Sequence, residues 1–196
     1  FKCLGGIKDP AKYFLGQRGF IGRDILRQIP HLRGQTQLFT AIQIVKQIGY
    51  EALHEAMKQI GIGEIQPTTI TGNECEAGAF PFTCSTLFQG PKTSDIPSSG
   101  DGLIHWTKDF FGKRVYLSVS SQLHLEATVL STKRDSYCMT SAFRAEPSTG
   151  PTHMAEFIMP EYELIGGGLE RNMAVAQYVL KHMFSKVLEQ CPDELE

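Results

Sequence analysis

The chain has no apolar run near the roughly 20 residues that a membrane-spanning helix needs, and its first residues carry no secretory signal. It also has little net charge, −2 over 196 residues. That balance gives no bulk electrostatic reason to bind nucleic acid, so an RNA or DNA contact would need a local basic patch or a part of the protein not present in this chain. The five cysteines, Cys3, Cys75, Cys84, Cys138 and Cys191, include no CxxC pair, and the six histidines show no pairing at ligand spacing. Those absences argue against a metal site and a disulfide framework; they fit buried or idle thiols in a reducing compartment. Internal repeats and low-complexity tracts are missing as well. What is present, 41% hydrophobic and 20% charged residues, reads as globular and soluble. The length suffices for one domain with a sizeable core, or for two small ones. The first residue is Phe1 rather than Met, which suggests a fragment or a processed chain.

Periodicity supplies the elements. Between Gln35 and Ile60 the apolar residues Leu38, Ala41, Ile42, Val45, Leu53, Ala56 and Ile60 keep the three-and-four spacing of one helical face, which predicts a long amphipathic helix stopped by "GIG". "EIQPTTIT" predicts a short β-branched strand, with Pro67 at an edge or near its start. "QGPKTSDIPSSGDG" (89–102) has the composition of a surface loop. "RVYLSVSSQLHLEA" predicts a strand running into a helix. Ser141 to Glu146 and Met154 to Leu164 predict a hairpin, and 169–190 a second long helix. The order is that of an α+β domain, an antiparallel sheet flanked by helices. Residues 1–34 read as an N-terminal linker segment and 35–196 as the domain.

The hairpin carries unusual chemistry. Side chains alternate along a strand, so Arg144 and Glu146 share a face, as do Phe157, Met159, Glu161 and Glu163. An Arg fork, an aromatic ring and carboxylates on one sheet surface suit a nucleotide, with phosphate on the guanidinium and base on the ring. A solvated hairpin with its charges outward would give the same letters.

"FRAE…THMAEFIMPEYE" resembles motif 2 of the class II aminoacyl-tRNA synthetases, in the form found in the asparaginyl family. "DGLIHWTKDFFGKRVYLSVSSQLHLEA" resembles that family's strand entering the amino-acid pocket, and "ITGNECEAGAF" its "ITxSDCEGAGE" segment. "LRQIPHLRGQT" and the long helix resemble the entry into motif 1, the dimer-forming helix and strand. Motif 1 then spans about 35–71 and motif 2 about 141–164, within a partial catalytic domain. The resemblance implies an asparagine–tRNA ligase that uses ATP and Mg²⁺ to form asparaginyl-adenylate and passes the acyl group to tRNA(Asn). It implies a cytoplasmic homodimer formed through motif 1. It also implies roles: Arg144 on the α-phosphate and amino-acid carboxylate as the catalytic residue; Glu146 and Phe157 on the adenine; His153 near the γ-phosphate. Glu76 would meet the substrate ammonium, and Ser120, Gln122 and Glu126 would form the amino-acid pocket. No metal ligand is assigned. An organellar location, a non-catalytic paralogue or dimerisation partner, an aspartate–tRNA ligase and an asparagine synthetase-like enzyme remain as alternatives.

Several positions depart from the family pattern. Thr152 and Phe80 stand where the family has Arg and Glu, and Pro160 interrupts the return strand, where it is expected to remove a ladder donor. "GGGLER" follows motif 2 at once, either by coincidence in a Gly-rich turn or as the join of two distant pieces. Motif 3, with the arginine that completes the ATP site, is expected beyond residue 196, and the anticodon-reading barrel is not found either. The chain is therefore expected to be marginally stable and to bind ATP poorly. Leu125 replaces a lysine that an aspartate-specific pocket would place three residues after Gln122, which favours an amide substrate.

Overall fold

The computed structural model describes residues 21–73, 79–88, 95–147 and 152–196, with isolated positions 2, 5, 6, 8, 9, 13, 90, 92 and 150 besides. Glu76, Cys3 and Cys75 lie outside the described residues. Two compact units make up the chain, one from residues 1–56 and 175–196, the other from 57–174.

The first unit is helical. It holds α1 (Arg23–Gln28), α2 (Pro30–Arg33), most of α3 (Gln37–Gln59), most of α5 (Leu169–Gln190) and α6 (Pro192–Leu195). Helices α1 and α2 fall in the segment read as a linker. Thr36 caps α3 by accepting the Phe39 N–H on its Oγ1 at 3.4 Å. The far end closes in a Schellman turn. Ile62 N–H reaches the Met57 carbonyl at 3.0 Å, Gly61 N–H reaches Lys58 at 3.1 Å, and Gly61 takes a φ of +77°. Ala52, Leu53 and Ala56 are the buried stripe of α3, and Val179 is buried on α5. Glu55 on α3 meets His182 Nε2 at 3.2 Å and Lys186 Nζ at 3.5 Å on α5.

The second unit is built on two three-stranded sheets. One has the order β1 (Gly63–Glu64), β5 (Ser136–Phe143), β6 (Glu156–Glu163); the other has β2 (Ile70–Thr71), β4 (Val115–Leu117), β3 (Thr83–Cys84). The antiparallel pairing expected from the sequence holds for β2–β4, β3–β4 and β5–β6, while β1 runs parallel to β5, pairing Gly63 with Ser136 and Glu64 with Tyr137. The long connection between them leaves room for the crossover that parallel strands require. Pro67 falls between β1 and β2, so the single strand expected there becomes two short ones. Strand β5 begins at Ser136, before the expected Ser141, and ends before Arg144. Ser118 ties the sheets together: its N–H donates to the Thr69 carbonyl at 2.8 Å and its carbonyl accepts from Phe143 N–H at 2.9 Å. Helix α4 (Gln122–Thr132) lies on β5 and β6, with Leu125 and Val129 buried and Ser121 Oγ 2.9 Å from Thr140 Oγ1.

The β5–β6 register explains one sequence anomaly, the proline within the return strand. Arg144 N–H still bonds the Ala155 carbonyl at 3.0 Å, and bonded pairs recur every second residue from there. Pro160, opposite Met139, falls between them and points its nitrogen away from β5. It removes no bond from this ladder, contrary to the reading from sequence. The "GGG" run has a local cause too. Gly166 has a φ of +61°, and a Cβ on Gly167 would lie 3.0 Å from that of Leu164. Asp135 pins this turn by accepting from Ile165 N–H at 2.8 Å and pairing with Arg171.

Candidate functional site

The register sets one face of the hairpin. Arg144, Ala142, Thr140, Cys138 and Ser136 stand opposite Ala155, Phe157, Met159, Glu161 and Glu163 and point the same way. The Arg144 guanidinium lies 5.5 Å from the Phe157 ring centroid, within the range of cation–π attraction. It also donates through Nε and Nη2 to the Val119 carbonyl, each at 3.4 Å. Phe157, on this face, is half-buried and lines the first cavity. Around the pair opens a cavity of about 400 Å³, whose walls include Glu146, Thr152 and His153. A guanidinium beside a ring at the lip of such a cavity can take a phosphate and a flat base together.

A second cavity, of about 430 Å³, opens toward the other end of the same two strands. Gln122, Glu161, Glu163, Tyr162 and Asn172 line it, and none of the described residues lining it is a lysine or arginine. Glu161 organises it. One carboxylate oxygen accepts from Ser120 Oγ at 2.5 Å and the other from Ser121 N–H at 2.9 Å, while Ser120 Oγ accepts from Gln122 N–H at 3.1 Å. Glu163 accepts from the Gln122 side-chain amide. With its NH₂ so engaged, Gln122 keeps its carbonyl oxygen as an acceptor. Beneath, the Cys138 thiol is pushed up to about 11, first by burial and then by Glu161, and is inert at neutral pH.

The structure thus brings Arg144, Glu146, His153 and Phe157 to one cavity and Gln122 to the other. Ser120, only 8% exposed, builds the second cavity through its hydrogen bonds and does not line it. Glu126 is exposed and lines neither cavity, and Leu125 is fully buried in α4 away from both linings. The sequence reading placed Glu161 and Glu163 on the Phe157 face of the hairpin but gave them no role in the amino-acid pocket; their alternation on β6 was the available signal. The ATP chemistry implied by the motif resemblance calls for Mg²⁺. Among the described residues no three His, Cys, Asp or Glu side chains converge as a metal site would need, so no residue is assigned to it. No helix among the described residues is long and apolar enough to cross a membrane.

A family model described as tRNA synthetases class II (D, K and N) matches residues 26–196. The asparagine–tRNA ligase of Myxococcus xanthus is 35% identical over 195 residues, 100% of this chain and 41% of that protein. That of a Synechocystis species is 36% identical over 195 residues, 100% of this chain and 40% of that protein. The crystal structure of asparaginyl-tRNA synthetase from Pyrococcus horikoshii complexed with asparaginyl-adenylate matches with a TM-score of 0.71 at 26% identity, over 89% of this chain and 34% of that one. A putative aspartyl-tRNA synthetase from Leishmania major Friedlin matches at TM-score 0.69 and 16% identity, over 91% and 29% of the two chains, a likeness of fold alone. The chain spans about two-fifths of the length of the curated relatives it matches.

Proposed function

Because this chain belongs to the class II tRNA synthetases of the D, K and N group, we propose that its two cavities serve an asparagine–tRNA ligase, activating asparagine with ATP and passing the acyl group to tRNA(Asn). The observation that carries this reading is the Arg144 guanidinium held 5.5 Å from the Phe157 ring beside a cavity of nucleotide size. The adenine would stack on Phe157, with Glu146 accepting from its amino group. Arg144 would hold the α-phosphate while an oxygen of the asparagine carboxylate attacks phosphorus and pyrophosphate leaves, stabilising the charge that develops there. His153 would lie toward the outer phosphates. Glu76 would receive the substrate ammonium.

Substrate choice follows from the second cavity. Two carboxylates and the Gln122 carbonyl are acceptors that an amide NH₂ can satisfy. A second substrate carboxylate would meet like charge without a cation to offset it. Asparagine is therefore favoured over aspartate by Glu161 and Glu163, with the buried Leu125 supplying no opposing cation. We place the reaction in the cytoplasm and the dimer contact on α3 with β2. Exchange of labelled pyrophosphate into ATP tests the reading, in this chain and in one extended to its relatives' length. Exchange should require asparagine. Its absence in both chains, or dependence on aspartate instead, would refute it.

A further inference from the structure

One turn of the second unit holds aromatic rings in the open among cations. Between Leu103 and Leu117 the sequence sets Lys108, Lys113 and Arg114 against a single acid, Asp109. That acid is buried and tied inward: one carboxylate oxygen accepts from Thr86 N–H at 2.9 Å, Thr86 Oγ1 at 2.7 Å and Phe110 N–H at 2.7 Å. Gly112 closes the turn, with a φ of +64° and its N–H on the Asp109 carbonyl at 2.9 Å. Arg114 anchors the far side. Its Nη2 donates to Thr83 Oγ1 at 3.1 Å, and its guanidinium lies 5.6 Å from the Trp106 ring centroid and 5.1 Å from that of Tyr116. This framework leaves Phe110 76% exposed and Phe111 46% exposed, packed edge to face with centroids 4.9 Å apart. Lys108 and Lys113 flank them in sequence and are exposed. Rings alone would suit another protein surface, but rings between cations suit a polymer with flat bases and phosphates. Such a local basic patch is what a chain of net charge −2 needs to meet RNA. The turn also feeds the strand that leads to the first cavity. Phe111 precedes Val119, whose carbonyl holds Arg144, by eight residues, so the two lie at most about 28 Å apart.

We propose that Phe110 and Phe111, with Lys108 and Lys113, form a platform for single-stranded RNA, and that the strand it takes is the unpaired 3′ end of the tRNA. Bases stack on the rings and phosphates meet the two ammonium groups. The inference rests on the ligase reading for the identity of the RNA and adds to it a place on this chain. The test is fluorescence anisotropy with a labelled, unstructured RNA of about eight nucleotides, over a range of salt, on this chain and on one extended to its relatives' length. Phe110→Ala should weaken binding about fivefold or more and leave the salt dependence as it is. Phe110→Leu, which keeps apolar bulk without a stacking face, should weaken it nearly as much. Lys113→Ala and Lys108→Ala should each flatten the slope of log affinity against log salt by about 0.7, one phosphate contact apiece. Circular dichroism checks that each variant keeps its fold. Wild-type affinity in the Phe110 variants, or an unchanged slope in both lysine variants, would overturn the inference. So would ring variants that alter the sedimentation of the protein while RNA affinity stays the same, since the patch would then face protein. Pyrophosphate exchange needs no RNA, so asparagine-dependent exchange in a wild type that does not bind the single strand would sink this inference and leave the ligase reading standing.

Discussion

Removing the Glu161 carboxylate should loosen the α4 entrance more than any other single change in the second cavity. It accepts two hydrogen bonds, from Ser120 Oγ at 2.5 Å and Ser121 N–H at 2.9 Å, and bonds to a charged acceptor contribute about 1.5–3 kcal/mol each. Ser120 and Ser121 are both buried, so Glu161→Ala leaves two donors short of a partner, while the half-exposed acid keeps each bond near the low end. The expected loss is about 3 kcal/mol, or roughly 6–12 °C in midpoint for a chain of this size. Glu161→Gln keeps one carbonyl acceptor but turns an NH₂ toward the other donor, and should lose about half as much. Urea denaturation followed by circular dichroism measures both variants, and a double-mutant cycle with Ser120→Ala isolates the pair, with an expected coupling above about 1 kcal/mol. Wild-type midpoints in both Glu161 variants would show that the carboxylate does not hold the helix entrance.

Three further outcomes follow from the same geometry. Asp109 accepts from Thr86 Oγ1 at 2.7 Å, Thr86 N–H at 2.9 Å and Phe110 N–H at 2.7 Å, and the Thr86 bonds above all hold its carboxyl well below the usual range. A lowered folded pKa gives stability that is present above the ordinary value of 3.8 and lost as pH falls below it; Asp109→Asn should lose that part of the acid dependence, and an unchanged profile between about pH 5 and pH 2 would refute the assignment. At Gly61 an added Cβ would meet nothing within 4 Å, so Gly61→Ala should cost about 1–2 kcal/mol from its φ of +77° alone, with Gly61→Asn closer to wild type in thermal melts. Gln122→Ala should weaken asparagine binding by calorimetry about fivefold or more, as one hydrogen bond is lost; unchanged affinity would remove Gln122 from the pocket.

The long helices were legible because their signal is local. The apolar spacing from Leu38 to Ile60 and the glycines after it mark both the face and the end of α3 without reference to the rest of the chain. The 169–190 segment likewise coincides with α5. Strands were less legible. The run Ser136–Thr140 mixes polar and apolar residues because β5 is covered on one face by α4 and flanked by the short β1, and neither neighbour is adjacent in sequence. Two-residue strands such as Thr83–Cys84 have no period to read. In the site, the Arg144 and Phe157 faces followed from alternation on a single hairpin. The partnership of Gln122 with Glu163, and of Ser120 with Glu161, joins side chains 41 positions apart. Nothing in local spacing points from one to the other. The burial of Leu125 is likewise invisible locally, since the apolar pattern of α4 does not say which of its faces meets the sheet.

Pro160 bears on how this chain behaves at high concentration. Its ring faces outward from β6, an eight-residue strand with no partner on that side among the described residues. A copy of the strand approaching there would find the run of amide donors interrupted in its middle, and the carboxylate of Glu156 near one end. Strand-by-strand stacking into a fibre is blocked at that point. Replacement of Pro160 by valine would restore the donor and should speed thioflavin-detected assembly.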